Sequence, residues 1–267
     1  MVNVLTEIIN HKKKIITDFK KKISVNKLLD DIKLSNNYIN FTDEIKKRNK
    51  ENKISIIAEI KKASPSAGLI VENFDPTQIA KLYIENGATC LSVLTEENFF
   101  LGKLDFIKNI KKIHKIPILC KDFFIDTYQV PLAKSFGADC ILIILSAVDR
   151  ILAKDLYQAA NDLNISSLVE VHSQKEAEIA LSFENSCIGI NNRNLKTLEI
   201  SLNTSVNLSK ILDSHKNPVI SESGIDSLES IKFIINHAKI YNFLIGESLL
   251  KKSDPGQKLK EFTQITL

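Results

Sequence analysis

The apolar positions of this chain switch repeatedly between two spacings. Short, nearly continuous apolar runs alternate with stretches in which apolar residues recur every third or fourth position. The runs read as buried strands and the stretches as amphipathic helices. The first run, Ile54 to Ile57, opens the segment Ile54–Gly68 and then breaks into Glu59, Lys61, Lys62, Ser64, Pro65, Ser66 and Gly68. Further strands are predicted at Cys90–Leu94, Ile116–Lys121, Ala138–Leu145, Ser166–Val171, Cys187–Ile190, Pro218–Glu222 and Tyr241–Ile245. Helices are predicted at Pro76–Asn86, Leu104–His114, Thr127–Phe136, Arg150–Leu163, Gln174–Phe183, Leu202–Leu212, Asp226–His237 and Asp254–Gln264. Gly87 and Gly137 stand where helices stop, Asp226 or Gly224 near where one starts, and Pro255 in the first turn of the last. Ahead of the first strand, Val4, Leu5, Ile8, Ile9, Ile15, Ile16 and Phe19 form one helical stripe. Phe41–Lys50 reads as a second short helix, and the rest of 23–53 as polar chain with short apolar patches.

Strands separated by helical stretches of about 10–15 residues indicate βαβ units and a parallel sheet. Eight strands, with a short helix expected after Gly246, fit a closed (β/α)8 barrel. An open doubly wound sheet would normally start with a glycine-rich turn, and the chain contains no GxGxxG. The expectation is therefore an α/β chain of one domain over residues 1–267, with a helical extension at 1–50 and a barrel at 51–267.

In such a barrel the chemistry sits at the C-terminal ends of the strands. The first strand delivers Glu59, Lys61 and Ser64, and the third Lys121, Asp122 and Phe123. The fifth delivers Glu170 and His172, and the sixth Asn191, Asn192 and Arg193. The seventh ends in Glu222, Ser223 and Gly224, and the eighth in Gly246, Glu247 and Ser248. Strand alternation puts Glu59 and Lys61 on one side, where a buried carboxylate and ammonium are costly unless paired or used. A structural ion-pair network at the rim is one reading. Polar residues from so many strands exceed what closing a barrel needs. Lys61 and Lys121 are candidate proton donors or anchors for phosphate and carboxylate, and Glu59, Glu170 and Glu222 candidate acids or bases. A Schiff-base lysine is a competing use. The glycines after strands seven and eight read either as tight turns or as a phosphate cradle of backbone N–H groups, with Glu247 turned away. Asp122 reads as a loop cap or as a group that orients Lys121. His172 reads as an orienter or as a structural histidine.

Composition narrows the class without changing this picture. Apolar residues make up 44% and charged residues 25%, as in a globular protein. The net charge of +4 is a mild excess, spread over lysines that read as solvated surface, with runs at Lys12–Lys14 and Lys20–Lys22. Nucleic-acid binding would call for a more concentrated basic stripe with interleaved aromatics. Arg48, Arg150 and Arg193 are the only arginines. Cys90, Cys120, Cys140 and Cys187 lie in or beside apolar runs, without the spacing of a metal site or disulfide framework, which fits a reducing, cytoplasmic setting. No signal peptide and no membrane-spanning run is visible.

Read together, IIAEIKKASPSAG ending at Gly68, YIENGATCLSVLTEENFF at 83–100, PILCKDFFIDTYQV at 117–130, GADCILII at 137–144, LVEVHS at 168–173, IGINNRNLKTLEI at 188–200, SESGI at 221–225 and FLIGESLL at 243–250 resemble the indole-3-glycerol phosphate synthase family. The resemblance covers nearly the whole chain. It implies a (β/α)8 barrel whose N-terminal helices help cover the active-site mouth, acting as a monomer without metal or organic cofactor. The implied reaction turns 1-(2-carboxyphenylamino)-1-deoxyribulose 5-phosphate into indole-3-glycerol phosphate, carbon dioxide and water, in tryptophan biosynthesis. By resemblance, Lys121 protonates the substrate ketone, Lys61 binds the substrate carboxylate, and Glu170 moves the proton in the dehydration. Glu59 and Asn191 position the hydroxyls, while Glu222 and Ser223 line the pocket. Ser64, with the backbone at Gly224, Gly246 and Glu247, holds the phosphate. Phe100 and Phe123 pack on the anthranilate ring, and Arg193 braces the loop after strand six. The chain departs from the family pattern at Ala67, where a loop lysine is common, at Leu101-Gly102-Lys103, where a Gln-Ser pair is common, and at Thr127, where proline is common. Rival readings are another phosphate-binding barrel of the same pathway and a catalytically silent scaffold. The N-terminal helices and the Lys61–Lys121 pair argue against the first, and the full set of acids and bases against the second.

Overall fold

The apolar runs become strands because each is covered on both faces, by helices outside and by the facing strands inside. All six residues of the first strand are buried, Glu59 included. A computed structural model describes residues 4–34, 38–195, 197–251 and 254–265. The chain begins with helices α1 (Val4–Lys22), α2 (Val25–Lys33) and α3 (Phe41–Lys50). Strand β1 (Ser55–Ile60) leads into a small antiparallel hairpin, β2 (Ala63–Ser64) and β3 (Gly68–Leu69). Then come α4 (Pro76–Glu85), β4 (Cys90–Leu94), α5 (Leu104–Ile113), β5 (Ile118–Lys121), α6 (Gln129–Ser135), β6 (Cys140–Ile144) and α7 (Arg150–Asp162). The second half carries β7 (Ser166–Val171), α8 (Gln174–Ala180), β8 (Cys187–Asn191), α9 (Asn203–Ser209), β9 (Val219–Glu222), α10 (Leu228–Ala238), β10 (Asn242–Ile245), α11 (Glu247–Leu250) and α12 (Pro255–Thr263).

Eight parallel strands close into a barrel in the order β1-β10-β9-β8-β7-β6-β5-β4. The predicted (β/α)8 architecture is the observed one. Closure is made by β1 against β10, with Ser55 opposite Asn242 and Ala58 opposite Ile245. The main core runs through the strands and the inner faces of the helices, and contains Ile57, Leu119, Leu168, Ile188 and Phe243. The four cysteines are all buried in it as free thiols. Burial pushes the Cys120 thiol up to about 12, the state of an inert packing residue. Helix starts follow local chemistry. Asp75 accepts the N–H groups of Thr77 and Gln78 ahead of Pro76. Among the described residues no helix is long and apolar enough to cross a membrane.

Two local expectations, at α2 and at Lys12, need correction. Helix α2 stands in the stretch read as irregular; Ser24 caps it and Leu28 is its one buried residue, too weak a pattern to show as a stripe. The β2–β3 hairpin is too short to leave a period. The N-cap of α10 is Ser227, in a capping box with Ser230, directly after Asp226, which was expected near this start. Lys12 is not a surface lysine. It lies in the buried stripe of α1 between Ile8 and Ile16, its ammonium 2.8 Å from Asp122. A second, smaller core forms where α1 and α2 meet the α6 region, from Ile16, Leu28, Tyr128 and Leu132. The Tyr128 hydroxyl donates to the Ile23 carbonyl at 2.8 Å, fixing the same contact.

Candidate active site

Strand register determines which side chains meet at the C-terminal mouth of the barrel. Glu170 on β7 lies opposite Gly189 on β8, and Asn191 opposite Glu222 on β9. With side chains alternating, these positions aim at one space. Lys121, at the end of β5, reaches it from the other side. Its Nζ donates to Glu170 Oε2 at 2.9 Å and Glu222 Oε2 at 2.8 Å. Burial pulls the Lys121 pKa down, but Glu170, Glu222 and Glu59 outweigh it, and the ammonium is held well above its ordinary range. Burial pushes Glu170 up, and the charges of Lys121 and His172 overcome it, so that carboxylate is held well below its usual range. Burial with the nearby Glu170 and Glu59 outweighs Lys121 at Glu222, which is pushed up to about 7.

Room for these carboxylates is made by two glycines. A Cβ on Gly189 would stand 2.0 Å from Glu222 Oε1, and one on Gly246 2.4 Å from Glu59 Oε1. Only glycine permits either approach. Glu59 is paired with Lys61 at 2.7 Å, as their shared strand side requires. Asn191 donates to Glu170 Oε1 at 3.2 Å and accepts from the Ser223 hydroxyl at 2.8 Å. Ser223 is held at φ +66°, a strained conformation for a residue with a side chain.

Among the remaining predicted site residues, Phe100 and Phe123 come within 6.4 Å, centroid to centroid, and form one aromatic wall. Arg193 donates to the Leu198 carbonyl at 3.3 Å and stands 3.8 Å from Glu247. Glu247 also pairs with Lys251 at 2.5 Å. The Lys251 hydrogen bond, working against partial burial, holds that carboxylate below its ordinary value, with Lys61 and Arg193 adding to the effect. Ser248 donates to the Ile225 carbonyl at 2.7 Å and so joins the loops that carry Gly224 and Gly246. Ser64 is 6% exposed and accepts the Ala67 N–H at 3.2 Å, holding the hairpin turn.

Asp122 does not orient Lys121. It faces Lys12, accepts from the Thr95 hydroxyl at 2.7 Å and caps the Phe123 N–H at 2.8 Å. His172 does face Glu170, with Nε2 3.3 Å from Oε1. Glu96 escaped the sequence reading, and Asn192 was placed at the mouth without a role. Glu96, fully buried after β4, accepts the N–H groups of Asn98, Phe99 and Phe100 and shapes the loop that presents Phe100. Its signal was the one used elsewhere, a carboxylate just past an apolar run. Asn192 donates to Ser221 and to the Ser223 carbonyl, both at 3.0 Å, and accepts from Ser205. It pins the strained Ser223 in place.

The site combines a half-buried ammonium shared by two carboxylates, a second ammonium–carboxylate pair and an aromatic wall. Such a site can protonate a developing alkoxide, stabilise an anion and bind a flat ring. Comparison with known proteins points to the same chemistry. The indole-3-glycerol phosphate synthase family profile matches residues 5–262. The chain is 39% identical to the indole-3-glycerol phosphate synthase of Bordetella pertussis, over 97% of this chain and 98% of that one. Its identity to the Trichodesmium erythraeum enzyme of the same name is 41%, over 96% of this chain and 87% of the relative. To that of Thermoanaerobacter pseudethanolicus it is 40%, over 98% and 97%. With the match running through every strand of the barrel, the chain belongs to the indole-3-glycerol phosphate synthase family.

Proposed function

We propose that this barrel closes the indole ring of indole-3-glycerol phosphate, a carboxy-lyase step of tryptophan biosynthesis. The substrate is the phosphorylated 1-(2-carboxyphenylamino)-1-deoxyribulose. The observation that carries the assignment of roles is Lys121, half-buried and held charged between Glu170 and Glu222. As the ring carbon bearing the carboxylate attacks the ketone carbon, the ketone oxygen gains negative charge. A half-buried ammonium aimed there delivers the proton. Lys61 supplies a positive charge for the carboxylate that departs as carbon dioxide. Loss of the resulting hydroxyl as water needs an acid at oxygen and a base for the remaining proton. Glu170 is read as that base, with Glu59 and Asn191 steering the hydroxyls. Phe100 and Phe123 pack on the aromatic ring as one wall, while Glu222 and Ser223 line the same pocket. Ser64 and the backbone at Gly224, Gly246 and Glu247 take the phosphate, and Arg193 braces the adjoining loop. The chain is also read as a monomer, a single mass in sedimentation being the check.

The experiment is turnover of the carboxyphenylamino sugar phosphate, followed by the rise of indole fluorescence, for wild type and Lys121→Ala. A positioned general acid is worth roughly 10²–10⁴-fold. The folded variant is expected to lose at least that much. Wild-type protein that makes no product refutes the function. Equal rates in both proteins move the acid away from Lys121.

A further inference from the structure

Glu170 and Glu222 share one ammonium at nearly equal distance, 2.9 and 2.8 Å. Those distances do not distinguish them. Their second oxygens do. Glu170 Oε1 receives the Asn191 amide at 3.2 Å and lies 3.3 Å from His172 Nε2. Glu222 Oε1 is buried with no hydrogen-bond partner among the described residues, over the space left by Gly189. An ionised carboxylate needs donors on both oxygens when water is excluded. Glu170 has them. An oxygen left bare suits a carboxyl that carries its own proton.

His172 does not stand alone. Its Nδ1 is 3.4 Å from Glu176 Oε2, and its backbone N–H donates to the same oxygen at 2.7 Å. Glu176 lies in the first turn of α8, so the imidazole is held between a carboxylate in the mouth and one on the outer helix. Each ring nitrogen lies within ion-pair distance of a carboxylate, without an aligned hydrogen bond, and a carboxylate at each nitrogen favours the ring that carries both protons. Resting on the reaction assigned above, we propose that His172, backed by Glu176, is a positioning residue that decides which carboxylate on Lys121 stays charged, fixing Glu170 as the base and leaving Glu222 to hold the proton. The other charged groups facing this cluster are Lys121 from β5 and Glu59 from β1, and Glu59 acts on Lys121 and Glu222. Neither singles out Glu170 as His172 does. The directions of titration agree. Burial lowers the His172 pKa, yet Glu170 and Glu176 raise it to about 9.

Two measurements test this. The first is the ring titration of His172 by NMR in the folded wild type without substrate. It stands or falls independently of the reaction. A ring still protonated above pH 8 is expected, and one that titrates near its ordinary value of about 6.5 overturns the proposal. The second is the pH profile of kcat and kcat/KM for wild type, His172→Asn and Glu176→Gln. Without the imidazolium, Glu170 should ionise only at higher pH. The acidic limb is expected to move up by about one unit in His172→Asn, a roughly tenfold loss at any pH on that limb. Glu176→Gln should shift it the same way by less, and KM should change little in both. Profiles that superimpose on wild type overturn the proposal. If His172→Asn fails to fold, Glu176→Gln and the ring titration decide it. A wild type that makes no product refutes the reaction and leaves the ring titration to judge the charge assignment.

Discussion

At the scale of single residues, the site depends on what is missing as much as on what is present. Gly189 and Gly246 leave the volume into which Glu222 and Glu59 project. Glu222 is there at a cost in free energy that depends on pH. Its folded pKa is raised from 4.5 to about 7. Between those values the folded state binds the extra proton, so its contribution to stability falls as pH rises through that window. Measured by urea unfolding at pH 5 and pH 8, Glu222→Gln should lose less stability between the two than wild type does. The difference is on the order of 3 kcal/mol, and an equal slope in both proteins would show that Glu222 is not the group titrating. The acids and bases at the strand ends were legible in the sequence, because a two-residue period and a break from apolar to polar are local signals. The glycine clearances, the partner of Asp122 and the roles of Glu96 and Asn192 were not, since each depends on which strands lie side by side and in what register.

At the scale of elements, α1 is anchored to the end of β5 by a charge rather than by grease alone. Lys12 is only 4% exposed and its partner side chain on the Asp122 residue 8%. Burial lowers the lysine pKa, and Asp122 more than restores it, so the pair is charged. Removing one partner strands the other. Asp122→Ala should cost about 3–5 kcal/mol in denaturant unfolding, and Lys12→Met combined with Asp122→Leu should recover most of that. Additive losses in the double variant would show that the two residues are not coupled. The helical stripe of α1 was readable as far as Ile8 and Ile16. Lys12 between them was hidden, because a lysine in a basic helix looks solvated until the carboxylate opposite it is known. Helix α2 escaped for a related reason, its nine residues burying only Leu28.

At the scale of the whole molecule, the barrel itself was the most legible feature. Alternating strand and helix patterns repeat often enough that errors at individual boundaries do not alter the count. Closure is another matter, because it joins the two ends of that count. β1 has one edge on β4 and the other on β10. A chain ended after Ala238 keeps Lys121, Glu170 and Glu222 yet lacks β10, which lies between β1 and β9. Such a chain should show no turnover and lose the dispersed proton NMR spectrum of a packed core. A native-like spectrum would mean that the remaining strands hold their places without β10. The same pairing has a temporal meaning. In chain order β1 is the first barrel strand to leave the ribosome, and the partner for its second edge, β10, is the last. Until β10 emerges, that edge is an unpaired template of the kind that invites association with other chains. The Glu59 side of the mouth, whose clearance is supplied by Gly246, therefore waits on the last strand of the barrel.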